Sequence, residues 1–140
     1  MINKAKSKKI AGDYVNRLSI KASSLSQVVN NLSGGNQQKT IVVRWLMNDP
    51  KILFMDEPTH GIDVGAKSEI YHIIDDLSKK GVAVVLLSSE LPEVLSMCDR
   101  IMVMHHGELK GVLGHNEANQ MKIMSFTLKT TGEEAAERTA

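Results

Sequence analysis

Several features that define whole classes of protein are scarce in this sequence. Its 140 residues hold a single cysteine, Cys98. One thiol closes no internal disulfide, so a stapled secreted domain is excluded. The longest apolar run, Val82 to Leu87, is far below the roughly 18 residues of a membrane-spanning helix. No charge dominates: 17 Lys+Arg stand against 16 Asp+Glu, a formal net charge of +1, which gives no bulk attraction to nucleic acid or anionic lipid. The lysines at positions 4, 6, 8 and 9 have no apolar stretch behind them, unlike a secretory signal; they read as the solvated face of a helix. What is present is ordinary: 42% hydrophobic and 24% charged residues, the balance of a folded, soluble protein of a reducing compartment. The length suits one domain.

Periodicity divides the chain into elements. Ile10, Tyr14 and Leu18 recur every four residues, one face of a helix. The serine-rich piece Ser23-Ser24-Leu25-Ser26 follows as a connector. A helix over Gln37 to Met47 carries Ile41, Val42, Trp45 and Leu46 and ends at Asn48-Asp49-Pro50, with Trp45 expected in the core. Ile52 to Met55 is a four-residue apolar run, expected as a strand buried on both faces. Val64 to Lys80 places Ile70, Ile73, Ile74 and Leu77 at helical spacing before Gly81. Val82 to Leu87 is a second buried strand, Glu90 to Met97 a short helix, and Ile101 to Met104 a third strand before a turn at His106-Gly107. A last helix is expected over Asn116 to Phe126, then a polar tail. Strands alternating with helices predict an α/β fold with a mainly parallel sheet.

Two motifs carry chemistry. In Leu32-Ser33-Gly34-Gly35-Asn36-Gln37-Gln38-Lys39 a hydroxyl and two glycines stand at a helix start. There the backbone N–H groups and the helix dipole favour an anion, and no Cβ obstructs its approach. A simple capped turn is the plainer alternative. Further on, the apolar strand ends in Asp56-Glu57-Pro58. A strand delivering two carboxylates at its C-terminal end is how an α/β protein presents a magnesium ligand, through water, and a general base. Solvated acids ending a strand are the alternative. The five histidines show no spacing around acids or cysteine that argues a zinc site, and Cys98 has no evident partner for nucleophilic catalysis. The methionines read as core filler.

Together and in this order, the motifs resemble those of ABC-type ATPases. LSGGNQQK looks like the signature motif, ILFMDEP like the Walker B strand, and Thr59 to Asp63 falls where the D-loop lies. More narrowly, DEPTHGIDVGAKSEIY, LLSSELPEV and DRIMVMHHG resemble the second nucleotide-binding domain of bacterial monosaccharide importers of the ribose, xylose and galactose types. The likeness runs from about Ala11 to about Ser125. It implies a partial P-loop NTPase-like fold. It also implies ATP and Mg²⁺ as cofactors in the complete assembly. Ser33, Gly34, Gly35, Asn36, Gln37 and Asp63 would be nucleotide-binding, Asp56 would serve Mg²⁺ and Glu57 would be the general base. The implied partners are a phosphate-loop-bearing ABC ATPase domain, a membrane permease and, indirectly, a periplasmic or extracellular sugar-binding protein, but no nucleic acid. The implied location is cytoplasmic, peripheral on the inner face of the cell membrane.

The sequence departs from the family pattern twice. Ser89, in Leu87-Ser88-Ser89-Glu90, holds the position of the switch histidine, and serine supplies neither its charge nor its proton transfer. Hydrolysis at the site using Glu57 is therefore expected to be poor, with the signature serving the competent site opposite. The phosphate loop, G-x-x-x-x-G-K-[ST], is missing; Gly61 to Ser68 imitates it with wrong spacing. The expected organisation is a helical-subdomain remnant and connector over residues 1–31, the C-terminal portion of an ABC ATPase over 32–127, and a polar tail over 128–140. A non-catalytic fragment or interaction module without ATPase activity of its own is the rival reading. A DNA-repair ATPase of the same superfamily is disfavoured by the SSELPEV and GIDVGAK strings. A missing phosphate-loop strand would leave apolar strand faces uncovered, which invites association. The chain is accordingly expected to self-associate or to depend on a partner in light scattering. A monomer with one sharp melting transition at high temperature would contradict this.

Overall fold

The computed structural model describes residues 3–127; the expected polar tail over 128–140 lies outside the described residues. The chain divides after Leu87 into two compact units.

The first unit begins with α1 (Lys4–Arg17), started by Asn3, whose Oδ1 accepts from the Lys6 N–H at 3.1 Å. Its Tyr14 hydroxyl donates to the Leu46 carbonyl at 3.1 Å, tying α1 to the end of α2 (Gly34–Leu46). A 3₁₀ turn, Val29–Asn31, precedes α2. The parallel strands β1 (Ile52–Asp56) and β2 (Ala83–Leu87) pair in register from Ile52↔Ala83 to Asp56↔Leu87, with α3 (Val64–Lys79) as the crossover. Ile70, Ile73, Ile74 and Leu77 form the buried stripe of α3 as their spacing foretold, and Ile70 is fully buried. Gly81, at φ 85, takes the left-handed conformation just past the helix end, where glycine is unstrained. The imitation of a phosphate loop is resolved by this geometry: it follows β1, and its Lys67 and Ser68 lie inside α3.

Four core expectations need correction. No residue of β2 is buried, its middle being half-buried and Leu87 exposed. The methionines are not mainly core filler, since Met47, Met102, Met104, Met121 and Met124 are exposed while Met55 is buried. β1 is buried on one face only: Leu53 and Met55 are each 6% exposed, while Ile52 is 58% and Phe54 70% exposed. Among the described residues it pairs with β2 alone, and the side chains that alternate outward from the pleat remain in solvent. Trp45 is 61% exposed, because the buried stripe of α2 runs through Gly35, Lys39, Val42 and Leu46 and leaves position 45 outside.

The second unit contains α4 (Leu91–Met97), then β3 (Arg100–His105) and β4 (Glu108–Gly114). β3 does not extend the parallel pair; it forms an antiparallel hairpin with β4, a strand the sequence reading lacked. The two-residue connection explains this. His106 at φ 48 and Gly107 at φ 79 make the doubly left-handed turn whose twist matches a hairpin. Lys110 is the extra residue of a bulge, since Val103 faces Gly111 while Met104 faces Leu109. The last helix starts later than expected: a 3₁₀ turn, His115–Glu117, precedes helical residues 120–127. Phe126 lies over Gly111, where a Cβ would meet its ring at 2.5 Å.

Cys98 caps α4 and is half-buried. Burial, then the negative charges of Glu93 and Asp99, push its thiol above the ordinary range. The uncharged thiol is thus favoured in the folded state. Its stabilising contribution is complete below the unfolded-state pKa and is lost as pH rises through the folded one. Alkylation of Cys98 should reach half-maximal rate at a higher pH in the folded chain than in urea; coincident profiles would contradict this.

Candidate functional site

Ser33 precedes α2 with extended backbone (φ −62, ψ 155) and makes no side-chain cap bond to the helix. The Asn36 Nδ2 donates to Ser33 Oγ at 2.7 Å, and the Lys21 N–H donates to Asn36 Oδ1 at 2.9 Å. The Gln37 amide turns back and donates from Nε2 to the Leu32 carbonyl at 2.9 Å. Asn36 and Gln37, grouped by sequence with the nucleotide contacts, are therefore engaged in shaping the turn. Ser33 and Gly34 are exposed. The first N–H groups of a helix lack intrahelical acceptors, so this start presents donors to an anion.

The two glycines also serve packing. A Cβ on Gly35 would stand 2.5 Å from Ala66 Cβ, and one on Gly34 would stand 3.1 Å from Ile62 Cγ2. The starts of α2 and α3 thus approach as closely as backbone allows. Asp63 caps α3, its Oδ1 accepting from the Ala66 N–H at 2.9 Å. The structure therefore brings Ser33–Gly35 and the Gly61–Asp63 loop together. Asp63 is held as a helix cap, a role its spacing before Ala66 could have signalled.

Asp56 ends β1 on its exposed side. Glu57 follows in the left-handed region at φ 45, an uncommon state for a non-glycine residue. Its N–H donates to the Leu87 carbonyl at 2.9 Å, and its carbonyl accepts from the His60 N–H at 3.1 Å. The turn so formed places two successive carboxylate residues at the strand end. Ser89 lies in the second unit, on the exposed segment before α4.

Asp56 also lines a recess of about 140 Å³ with Gln38, Ile41, Trp45 and Phe54, well below the roughly 300–1,000 Å³ of whole-ligand pockets. Among the described residues no three His, Cys, Asp or Glu gather as a metal cluster. Magnesium does not need one, since it keeps several waters and takes one or two carboxylates. The donor set thus fits the phosphate end of a nucleotide and a hydrated magnesium ion.

Sequence reasoning missed the role of Lys39. It is 2% exposed, its Nζ 2.5 Å from Glu69 Oε2 and donating to the Ser19 carbonyl at 3.2 Å. Its spacing from Gly35, Val42 and Leu46 along one helix face was the available signal.

Residues 3–60 match the model of the ABC transporter family. The chain is 50% identical over 127 residues to a ribose import ATP-binding protein of Clostridium tetani, covering 91% of this chain and 25% of that protein. It is 57% identical over 112 residues to a putative ribose/galactose/methyl galactoside import ATP-binding protein of Pseudomonas syringae pv. syringae, covering 80% of this chain and 21% of that one. The chain thus spans a quarter or less of the length of these relatives. An ATP-binding cassette of an ABC transporter superposes with a TM-score of 0.76 at 25% identity, over 90% of this chain and 52% of that chain. A dimeric cassette in a post-hydrolysis state, bound to ADP and Pi, gives 0.71 at 23% identity, over 82% of this chain and 50% of that one. The fold is that of part of an ATP-binding cassette. The chain belongs to the ABC transporter family.

Gly35→Ala should destabilise the chain by about 1–3 kcal/mol, because the new methyl meets Ala66 across a contact with no slack. Ser33→Ala should cost under about 1 kcal/mol, since an exposed hydroxyl that makes no cap bond is lost. Urea denaturation of the two variants checks the contrast; equal losses would contradict it.

Proposed function

We propose that this chain supplies the signature and Walker B elements of the ATP-binding subunit of an ABC-type sugar importer. The observation that carries this is the exposed Ser33-Gly34 start of α2, seated against the Asp63 loop through the buried Gly35. Sugar import comes from the names of its relatives.

The Ser33 hydroxyl and the first N–H groups of α2 donate to terminal phosphate oxygens of a nucleotide held on a phosphate-loop-bearing domain. Preorganised donors of this kind act where charge develops in the transition state. Asp56 accepts hydrogen bonds from the water shell of magnesium. Glu57 takes the proton of an attacking water. Bound Mg²⁺-ATP supplies the phosphoryl bond that is cleaved and the charge neutralisation its transfer needs. Ser89, without a histidine's charge or basicity, leaves the site served by Glu57 slow, and the signature serves the opposite, competent site. Closure of the two domains drives a membrane permease fed by a sugar-binding protein, with this chain on the cytoplasmic side of the membrane. No described helix is long and apolar enough to cross a membrane. The second reading, a non-catalytic interaction module, draws on the exposed Ile52 and Phe54 of β1.

ATP turnover by the chain alone and with a phosphate-loop-bearing partner half tests this. The chain alone should bind Mg²⁺-ATP weakly, and the mixture should turn it over. Ser33→Ala should lower that turnover about 10-fold or more, the scale of losing one transition-state donor. Glu57→Gln should change it less than about twofold, because its own site is the slow one. Tight, Mg²⁺-dependent binding and turnover by the isolated chain would overturn the proposal, and an inert mixture would favour the interaction module.

A further inference from the structure

Lys39 is the one buried cation among the described residues. Stripping water from an ammonium is costly unless close partners replace it, so its two contacts are structural commitments. It joins three segments: the turn after α1, where Ser19 is held at φ 49, the helix α2 and the helix α3. Lys39 lies one helical turn beyond Gly35, and Glu69 lies one turn beyond Ala66. The ion pair is therefore the second rung of a ladder whose first rung is the Gly35–Ala66 contact. Helices touching at one point can pivot about it. Helices tied again one turn later cannot, unless a buried charge loses its partner. Just ahead of the first rung stand Ser33 and Gly34 on one helix and the Asp63 cap on the other.

We infer that Lys39 is a positioning residue: its ties to Glu69 and to the Ser19 carbonyl hold α2 and α3 so that the Ser33 turn and the Asp63 loop meet the nucleotide as one rigid unit. The inference rests on the nucleotide reading proposed above and adds the device that fixes the separation of the two loops. Lys39 touches neither nucleotide nor water in the reaction; it acts through the helices.

The test uses the full chain assembled with its phosphate-loop-bearing partner. Lys39→Met should lower kcat about tenfold with KM changed less than about twofold, the pattern of displaced transition-state contacts. Lys39→Arg, which keeps the charge, should restore most of the rate. In a Ser33→Ala background the same Lys39→Met change should cost less than about twofold, because the contact it positions is already gone. Independently of turnover, the NMR amide signals of Ser33–Gly35 and Asp63–Ala66 should broaden together in Lys39→Met. If that variant does not fold, Glu69→Gln, which leaves the ammonium bonded to Ser19 and to a neutral amide, should give the same pattern more weakly. A lower melting temperature with unchanged kcat and unshifted loop amides would overturn the inference, as would a full loss of rate in the Ser33→Ala background. No turnover by the unsubstituted pair would defeat the nucleotide reading alone, and the amide signals would then decide the positioning role.

Discussion

The structure depends on how closely α2 can approach α3. At Gly35 the separation leaves no room for a Cβ, and Ala66 opposite is itself the smallest side chain that has one. Close packing of this kind has little freedom to adjust, because an added methyl must displace backbone. The pairing of the two helix starts follows from that contact. It sets the Ser33 turn beside the loop that ends in Asp63. It also puts Lys39 within reach of Glu69, so that a buried cation seals the same helix pair one turn later. A glycine chosen for anion approach and a glycine required for packing are the same residue here.

Within each unit the outer strand face is exposed, in contrast to the buried core of the first. The helix pair and the inner face of β1 share a well-buried core at Leu53, Met55, Ile70 and Ile74. The outer face of β1 keeps Ile52 and Phe54 in solvent, and the outer face of the β3–β4 hairpin does the same with Met102 and Met104. Scattered exposed hydrophobics are normal on a protein surface. Alternating ones along a strand mark a face shaped for cover. The sequence reading of β1 as buried on both sides is the composition of such a strand, and the described residues cover one side of it.

Legibility followed the range of the forces involved. α3 was readable because Ile70, Ile73, Ile74 and Leu77 repeat at helical spacing, and that stripe is its packing face. The acidic strand end was readable because an apolar run stops at Asp56. β4 was not, since Glu108 to Gly114 holds two glycines and two charged residues; its strand character comes from pairing with β3 across a two-residue turn. Trp45 was misjudged because aromatic bulk suggests burial, while the helix phase puts it outside. Asn36 and Gln37 were recognised as belonging to the site motif, but their hydrogen bonds to Ser33 and Leu32 are matters of side-chain direction.

By itself the sequence determined the α/β class, the order of the motifs and the family they belong to, because local periodicity and contiguous strings carry that information. Only the tertiary structure decided that the Ser33 turn and the Asp63 loop are neighbours, and that Lys39 is tied to Glu69 and to the Ser19 carbonyl. Those facts depend on residues far apart in the chain meeting at a particular distance, such as Ser19 with Lys39 and Gly35 with Ala66. Spacing along a chain encodes which face a residue occupies; what that face meets is set by packing.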